Sequence, residues 1–125
     1  MASRRADRLQ QRNRRKEIQE DYERELASLE QRQGAENDAL DAKHQAAWHG
    51  LQRRVQIMYR VLPTAPQEEQ EEDKTVVDNI IEAYQEKSLH EVFEMGTRHR
   101  MEKDDLELTY KKRMFRDGIA EQLAS

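Results

Sequence analysis

Leu29-Glu-Gln-Arg-Gln-Gly-Ala-Glu-Asn-Asp-Ala39, Leu40-Asp-Ala-Lys-His-Gln-Ala-Ala-Trp-His-Gly50 and Leu51-Gln-Arg-Arg-Val-Gln-Ile-Met-Tyr-Arg-Val61 are three successive elevens, each opened by leucine, and Leu62 opens a fourth. An eleven-residue period is 3.67 residues per helical turn, so the leucines return to one side of a helix that runs straight or slightly right-handed; strict sevens would wind it left-handed. Four and seven residues after each leucine stand Gln33 and Glu36, His44 and Ala47, Val55 and Met58, so the stripe gains apolar character toward residue 62. Carried backward, it takes in Ile18, Tyr22 and Glu25. Beyond residue 75 the same spacing runs through Val77, Ile81, Tyr84, Ser88, Val92, Met95, His99, Lys103, Leu106, Tyr110 and Met114.

Between the two patterned stretches lies Pro63-Thr-Ala-Pro-Gln-Glu-Glu-Gln-Glu-Glu-Asp-Lys74, which holds both prolines and no large apolar residue. Pro63 disfavours helix at Leu62, and Thr75 with Asp78 three residues on fits a capping box that restarts helix before Val76 and Val77. The expected organisation is a basic arm over 1–16, a long helix over 17–62, an acidic Pro/Glu-rich connection over 63–74 and a second long helix over 75–122. At 1.5 Å per residue these helices reach roughly 80 and 70 Å. A connection of this length permits reversal, which sets Val55, Met58 and Leu62 against Val77, Ile81 and Tyr84 beside the turn, where loop closure costs least. The fold class read from the sequence is all-α: two long helices in an antiparallel hairpin or coiled coil with 11-residue repeats.

Composition agrees with that reading. Of the 125 residues, 35% are hydrophobic and 38% charged, against roughly 45–50% apolar in an ordinary domain. Such a chain is either disordered or elongated and helical; the periodicity selects helix. The absence of cysteine excludes disulfides, thiolate metal sites and thiol nucleophiles. No stretch approaches the roughly 20 apolar residues that span a bilayer, and the basic N-terminus is followed by polar residues where a secretory signal needs an apolar run. The expected location is intracellular, the cytoplasm favoured, with the nucleus open to a eukaryotic protein.

Chemistry has little to work with. Asp41 and His44 are the only carboxylate-x-x-His pair, whereas a di-metal bundle site needs two such motifs with further inward carboxylates. His44 and His99 fall on the stripes, where a neutral imidazole can satisfy a contact across helices. No phosphate loop, dinucleotide glycine pattern or nucleophile elbow occurs. No catalytic residue, metal or cofactor is expected.

The function expected is that of a non-enzymatic structural or adaptor subunit working through protein contacts, as a homo- or hetero-oligomer. The candidate interface residues are Leu40, Trp48, Leu51, Val55, Met58, Leu62, Val77, Ile81, Tyr84, Val92, Met95 and Leu106. Trp48 follows Ala47 by one residue and is expected on the flank, while Phe93 and Met101 widen the apolar face beside Val92 and Leu106, with Phe115 also off the narrow stripe. The alternative rests on residues 1–16, which carry seven basic side chains against Asp7. Arg4, Arg5, Arg8, Arg12, Arg14, Arg15 and Lys16 form a candidate polyanion site, and a helix would line Arg5, Arg8, Arg12 and Arg15 along one face to meet nucleic-acid phosphates. Asn13 among these arginines resembles the basic region that precedes a leucine zipper, but the paired alanines of that region are missing and the repeat here is in elevens. In length, charge and two-helix shape the chain also resembles the small hairpin stalk proteins of bacterial export ATPases, a resemblance of architecture and not of motif.

Overall fold

The computed structural model describes residues 2–61 and 66–124, with side chains described over 4–60 and 66–118. The chain is an all-α helical hairpin of two helices, α1 over Ala2–Val61 and α2 over Gln67–Ala124, with no strand among the described residues.

Both helices begin earlier than the sequence pattern suggests. The basic stretch 1–16 is no separate arm, because α1 already runs from Ala2; its Arg, Lys and Gln side chains are good helix formers, and no Gly or Pro interrupts them. Eight residues ahead of Thr75, α2 starts at Gln67. The Gln70 N–H donates to the Pro66 carbonyl at 3.0 Å, so Pro66 opens the helix at a place where its missing N–H costs nothing. Glu68 and Glu69 then occupy the first turn, where negative charge complements the helix dipole. Thr75 is interior to α2: its hydroxyl donates to the Glu71 carbonyl at 3.0 Å, the back-bond of a helical threonine and not a cap. The acidic connection is therefore largely helix, and Leu62, Pro63, Thr64 and Ala65 lie outside the described residues.

The helices pair in two units. In the first, Met1–Gly34 with Thr97–Ser125, the Tyr22 and Tyr110 rings lie 5.3 Å apart, and the Gln33 side-chain amide donates to the His99 carbonyl at 2.9 Å. Eleven residues forward along α1 correspond to eleven back along α2, which defines antiparallel pairing. Ile18, Gln33, His99 and Tyr110 are buried here, flanked by half-buried Leu26, Leu29, Leu106 and Met114. In the second unit, Ala35–Gly96, Trp48 packs against Tyr84 with ring centroids 5.6 Å apart, and the Tyr84 hydroxyl donates to the His44 carbonyl at 2.6 Å. Val77 is fully buried; Leu40, Leu51, Val55, Met58, Ile81 and Met95 are half-buried.

The elevens survive as a burial pattern. Ile18, Leu29, Leu40 and Leu51 on α1 are all buried or half-buried, as are Asp73, Tyr84, Met95, Leu106 and Asp117 on α2. Between these marks four positions shift by one. Leu26 and Trp48 take the places expected of Glu25 and Ala47, and Glu91 and Glu102 those of Val92 and Lys103. A stripe of this period can pass through either neighbour, and in two of the four cases the position goes to the side chain with a partner across the pair: Trp48 meets Tyr84, and Glu91 meets Lys43 and His44. Glu102 pairs with Arg32, but its neighbour Lys103 also reaches α1, at Glu30.

A Cβ built on any of the four glycines, Gly34, Gly50, Gly96 and Gly118, meets nothing within 4 Å, and none has positive φ. They mark no close approach between helices, so their backbone freedom is a simple loss of helix stability. Gly34→Ala and Gly96→Ala are each expected to raise folding stability by about 0.5–1 kcal/mol, read as a higher Tm in circular dichroism melts.

Candidate interaction surfaces

Of the residues expected to form an interface, most are occupied within the chain. Trp48, Leu51, Val55 and Ile81 line one shallow side of the pair in the second unit, and Val77, Tyr84, Met58, Leu40 and Met95 face the seam of the same unit. Leu106 does so in the first unit. Trp48 is half-buried at the edge of the seam, where it packs on Tyr84 and lines that side of the pair. Val92 is a correction: it is 50% exposed, its expected place being held by Glu91. Leu62 lies outside the described residues.

Polar residues on the seam are matched across it. In the second unit the Glu91 carboxylate is 3.1 Å from the Lys43 ammonium and 3.3 Å from His44 Nε2. The Lys43 hydrogen bond holds the Glu91 carboxyl below its ordinary range, outweighing partial burial, and His44 adds to the effect. In the first unit, burial pushes the Tyr110 phenol up, helped by the Glu25 carboxylate beside it. The Arg113 guanidinium lies 5.2 Å from the centre of the Tyr110 ring and 3.7 Å from Asp21, while Arg32 and Lys103 pair with Glu102 and Glu30. His44, Gln33, Tyr84 and His99 stood on the stripes in the sequence and Glu91 did not; which residue meets which depends on the register set by the turn.

The exposed large apolar side chains include Leu9, Ile57, Tyr59, Leu89, Val92 and Phe93, and two further groups lie one in each unit. In the second unit, exposed Ile80 lines an open depression of about 370 Å³ with Ala47, Gly50, Leu51, Arg54 and Tyr84, and exposed Val76 lies one turn before it. In the first, Met101, Leu108 and Phe115 are exposed on α2. Met101 and Phe93, which the sequence places outside the narrow stripe, are both exposed. Leu108 carried no signal within the expected stripe and would have been found by its position two residues from both Leu106 and Tyr110.

Arg4, Arg5, Arg8, Arg12, Arg14, Arg15 and Lys16 are all exposed on α1. Among the described residues no group of three metal-ligating side chains converges, and no helix is long and apolar enough to cross a membrane. Comparison with known protein families, curated proteins and solved structures finds no match.

The depressed carboxyl of Glu91 has a defined pH consequence. A group whose folded pKa lies below its free value of 4.5 stabilises the fold above that value, and the contribution is lost as pH falls through the folded pKa. Thermal melts of the wild type are expected to drop more steeply below pH 4.5 than those of Glu91→Gln, and the two curves to separate most near neutrality. Equal acid slopes would contradict the pairing with Lys43 and His44.

Proposed function

We propose that this chain is a non-enzymatic structural or adaptor component that joins a larger assembly through helical contacts. The observation that carries this reading is the apolar flank of the second unit. Ile80 stays partly in water beside Ala47 and Gly50, whose small size leaves room for a further helix against Leu51 and Tyr84, and exposed Val76 lies one turn before it on α2. Among the described residues, Ile18, Val77 and Tyr110 are the only hydrophobic side chains that are buried. A helix packed on that flank would cover the half of the Val76 and Ile80 side chains still in water, a gain of half the roughly 1.5–3 kcal/mol that full burial of each is worth.

A second reading keeps its own support. Because α1 is helical from Ala2, Arg5, Arg8, Arg12 and Arg15 recur at helical spacing along one exposed face, a geometry suited to a row of nucleic-acid phosphates.

The two are separated by paired variants of the full chain. Ile80→Asp lies at an exposed position and should leave helicity near wild type while abolishing co-purification of specific host proteins; replacing Arg5, Arg8, Arg12 and Arg15 by Gln should leave those proteins bound. The reverse ranking, with affinity for DNA or RNA falling steeply as salt rises, would overturn the adaptor reading in favour of the second.

A further inference from the structure

The outer side of α2 in the first unit carries a pattern that the pairing with α1 does not use. Leu108 lies two residues from Leu106 and two from Tyr110, both of which face α1, so it projects away from the seam. Met101 stands seven residues before it and Phe115 seven after. The three are 60%, 51% and 69% exposed, which makes a line of large apolar side chains along about 21 Å of helix. Seven-residue spacing is the signature of a helix face that meets another helix, whereas the seam of this same helix keeps to elevens.

The charges around Leu108 identify the occupant. Three and four residues before it are Asp105 and Asp104; three and four after it are Lys111 and Lys112. On a helix these are the neighbours of Leu108 on its own face, and all four are exposed. The apolar pattern is symmetric about Leu108 and the charge pattern is inverted about it. A second copy laid parallel would bring aspartate to aspartate and lysine to lysine. Laid antiparallel, with the two Leu108 side chains at the centre, it sets the Asp104 and Asp105 pair of each copy against the Lys111 and Lys112 pair of the other, Asp104 sharing an edge with Lys111 and Asp105 with Lys112, and Met101 against Phe115 at both ends. The same register puts Arg100 and Arg116 at one level on opposite margins of the contact, where salt screens their repulsion. Lys111 also bonds Glu107 of its own helix at 2.9 Å, which holds its ammonium on the exposed surface.

We infer that the Met101, Leu108 and Phe115 face of α2 is a homodimer contact, in which two copies of this chain pack antiparallel about Leu108 and are registered by Asp104 and Asp105 of each against Lys111 and Lys112 of the other. The inference deepens the assembly reading by naming one partner, a second copy, and uses residues of the other unit than those at Val76 and Ile80.

Sedimentation velocity on the full chain tests it. Over a concentration series the species should pass from 14.9 kDa to twice that mass. Leu108→Glu, at a position where glutamate keeps helix propensity, should retain the circular dichroism of the wild type and stay monomeric throughout. Asp104→Lys with Asp105→Lys makes the face wholly basic, and Lys111→Glu with Lys112→Glu makes it wholly acidic; each should weaken self-association by about tenfold or more. Mixed in equal amounts, these two variants should dimerise with each other, because the basic face now meets the acidic one.

A wild-type chain that remains monomeric into the millimolar range overturns the inference, as does a dimer that survives Leu108→Glu or a pair of charge-reversed variants that ignore each other. A monomeric wild type from which Leu108→Glu removes a host protein assigns the face to another polypeptide and likewise overturns self-pairing. Loss of host proteins on Ile80→Asp in a chain that never dimerises would leave the assembly reading standing without this contact, and a Leu108-dependent dimer whose partners ignore Ile80→Asp would do the opposite.

Discussion

Two helices in contact can shield only one stripe on each, and this limit governs the rest of the molecule. A residue on the stripe must either fill space against its counterpart or satisfy its polar groups there, since an unmet buried hydrogen-bonding group costs about 1–3 kcal/mol. Along this pair the requirement is met mostly by polar matching. Gln33 reaches a backbone carbonyl on α2, Tyr84 one on α1, and Glu91 takes a lysine and a histidine together. One Glu102 oxygen accepts from Arg32 while the other, which has no hydrogen-bond partner among the described residues, lies 3.9 Å from Arg98 Nε. Such contacts contribute less than apolar burial but are far more selective for register, because a slip by one residue leaves each of them unpaired.

That selectivity explains what the sequence could and could not disclose. The leucine elevens were legible because leucine at a fixed interval has one simple helical meaning, and they mark buried or half-buried positions on α1 from Leu29 to Leu51. The places between them were not fixed by pattern alone. At Ala47 or Trp48, and at Glu91 or Val92, either residue lies close enough to the seam, and hydropathy favoured Val92. The carboxylate prevails because its partners are on the facing helix, information that enters only with the register. Thr75 misled for a related reason: a threonine followed by an aspartate three residues on resembles a cap, but Pro66 had already opened the helix and Glu68 and Glu69 supplied the charge its first turn favours. An acidic run after proline reads as loop by composition and as helix by propensity, and here propensity prevails.

The same limit shapes what the chain can do. With one stripe each engaged, the remaining sides of α1 and α2 face water, and most carry the charged residues that keep such a surface soluble. Ile80 beside Ala47 and Gly50, Val76 one turn before it, and Met101, Leu108 and Phe115 on the outer side of α2 keep 43–69% of their surface in water. Shallow, open depressions lined by such residues suit the side of another helix better than a small molecule, which binds where concave walls enclose most of its surface.

The two periods on α2 also bound how extensive an outer contact can be. Its inner seam keeps to elevens, so the helix cannot hold a strict heptad on its other side without that line winding around it; an ideal helix drifts by about 20° per heptad relative to a seven-residue repeat. From Met101 to Phe115 there are two heptads, and the drift over that span is still small enough for large side chains to meet one helix. Further along it would carry the line out of reach. A contact of this kind is short by construction, and its affinity is modest because few apolar side chains take part. Its orientation must then come from charge: aspartates before Leu108 and lysines after it accept one antiparallel arrangement and repel the parallel one.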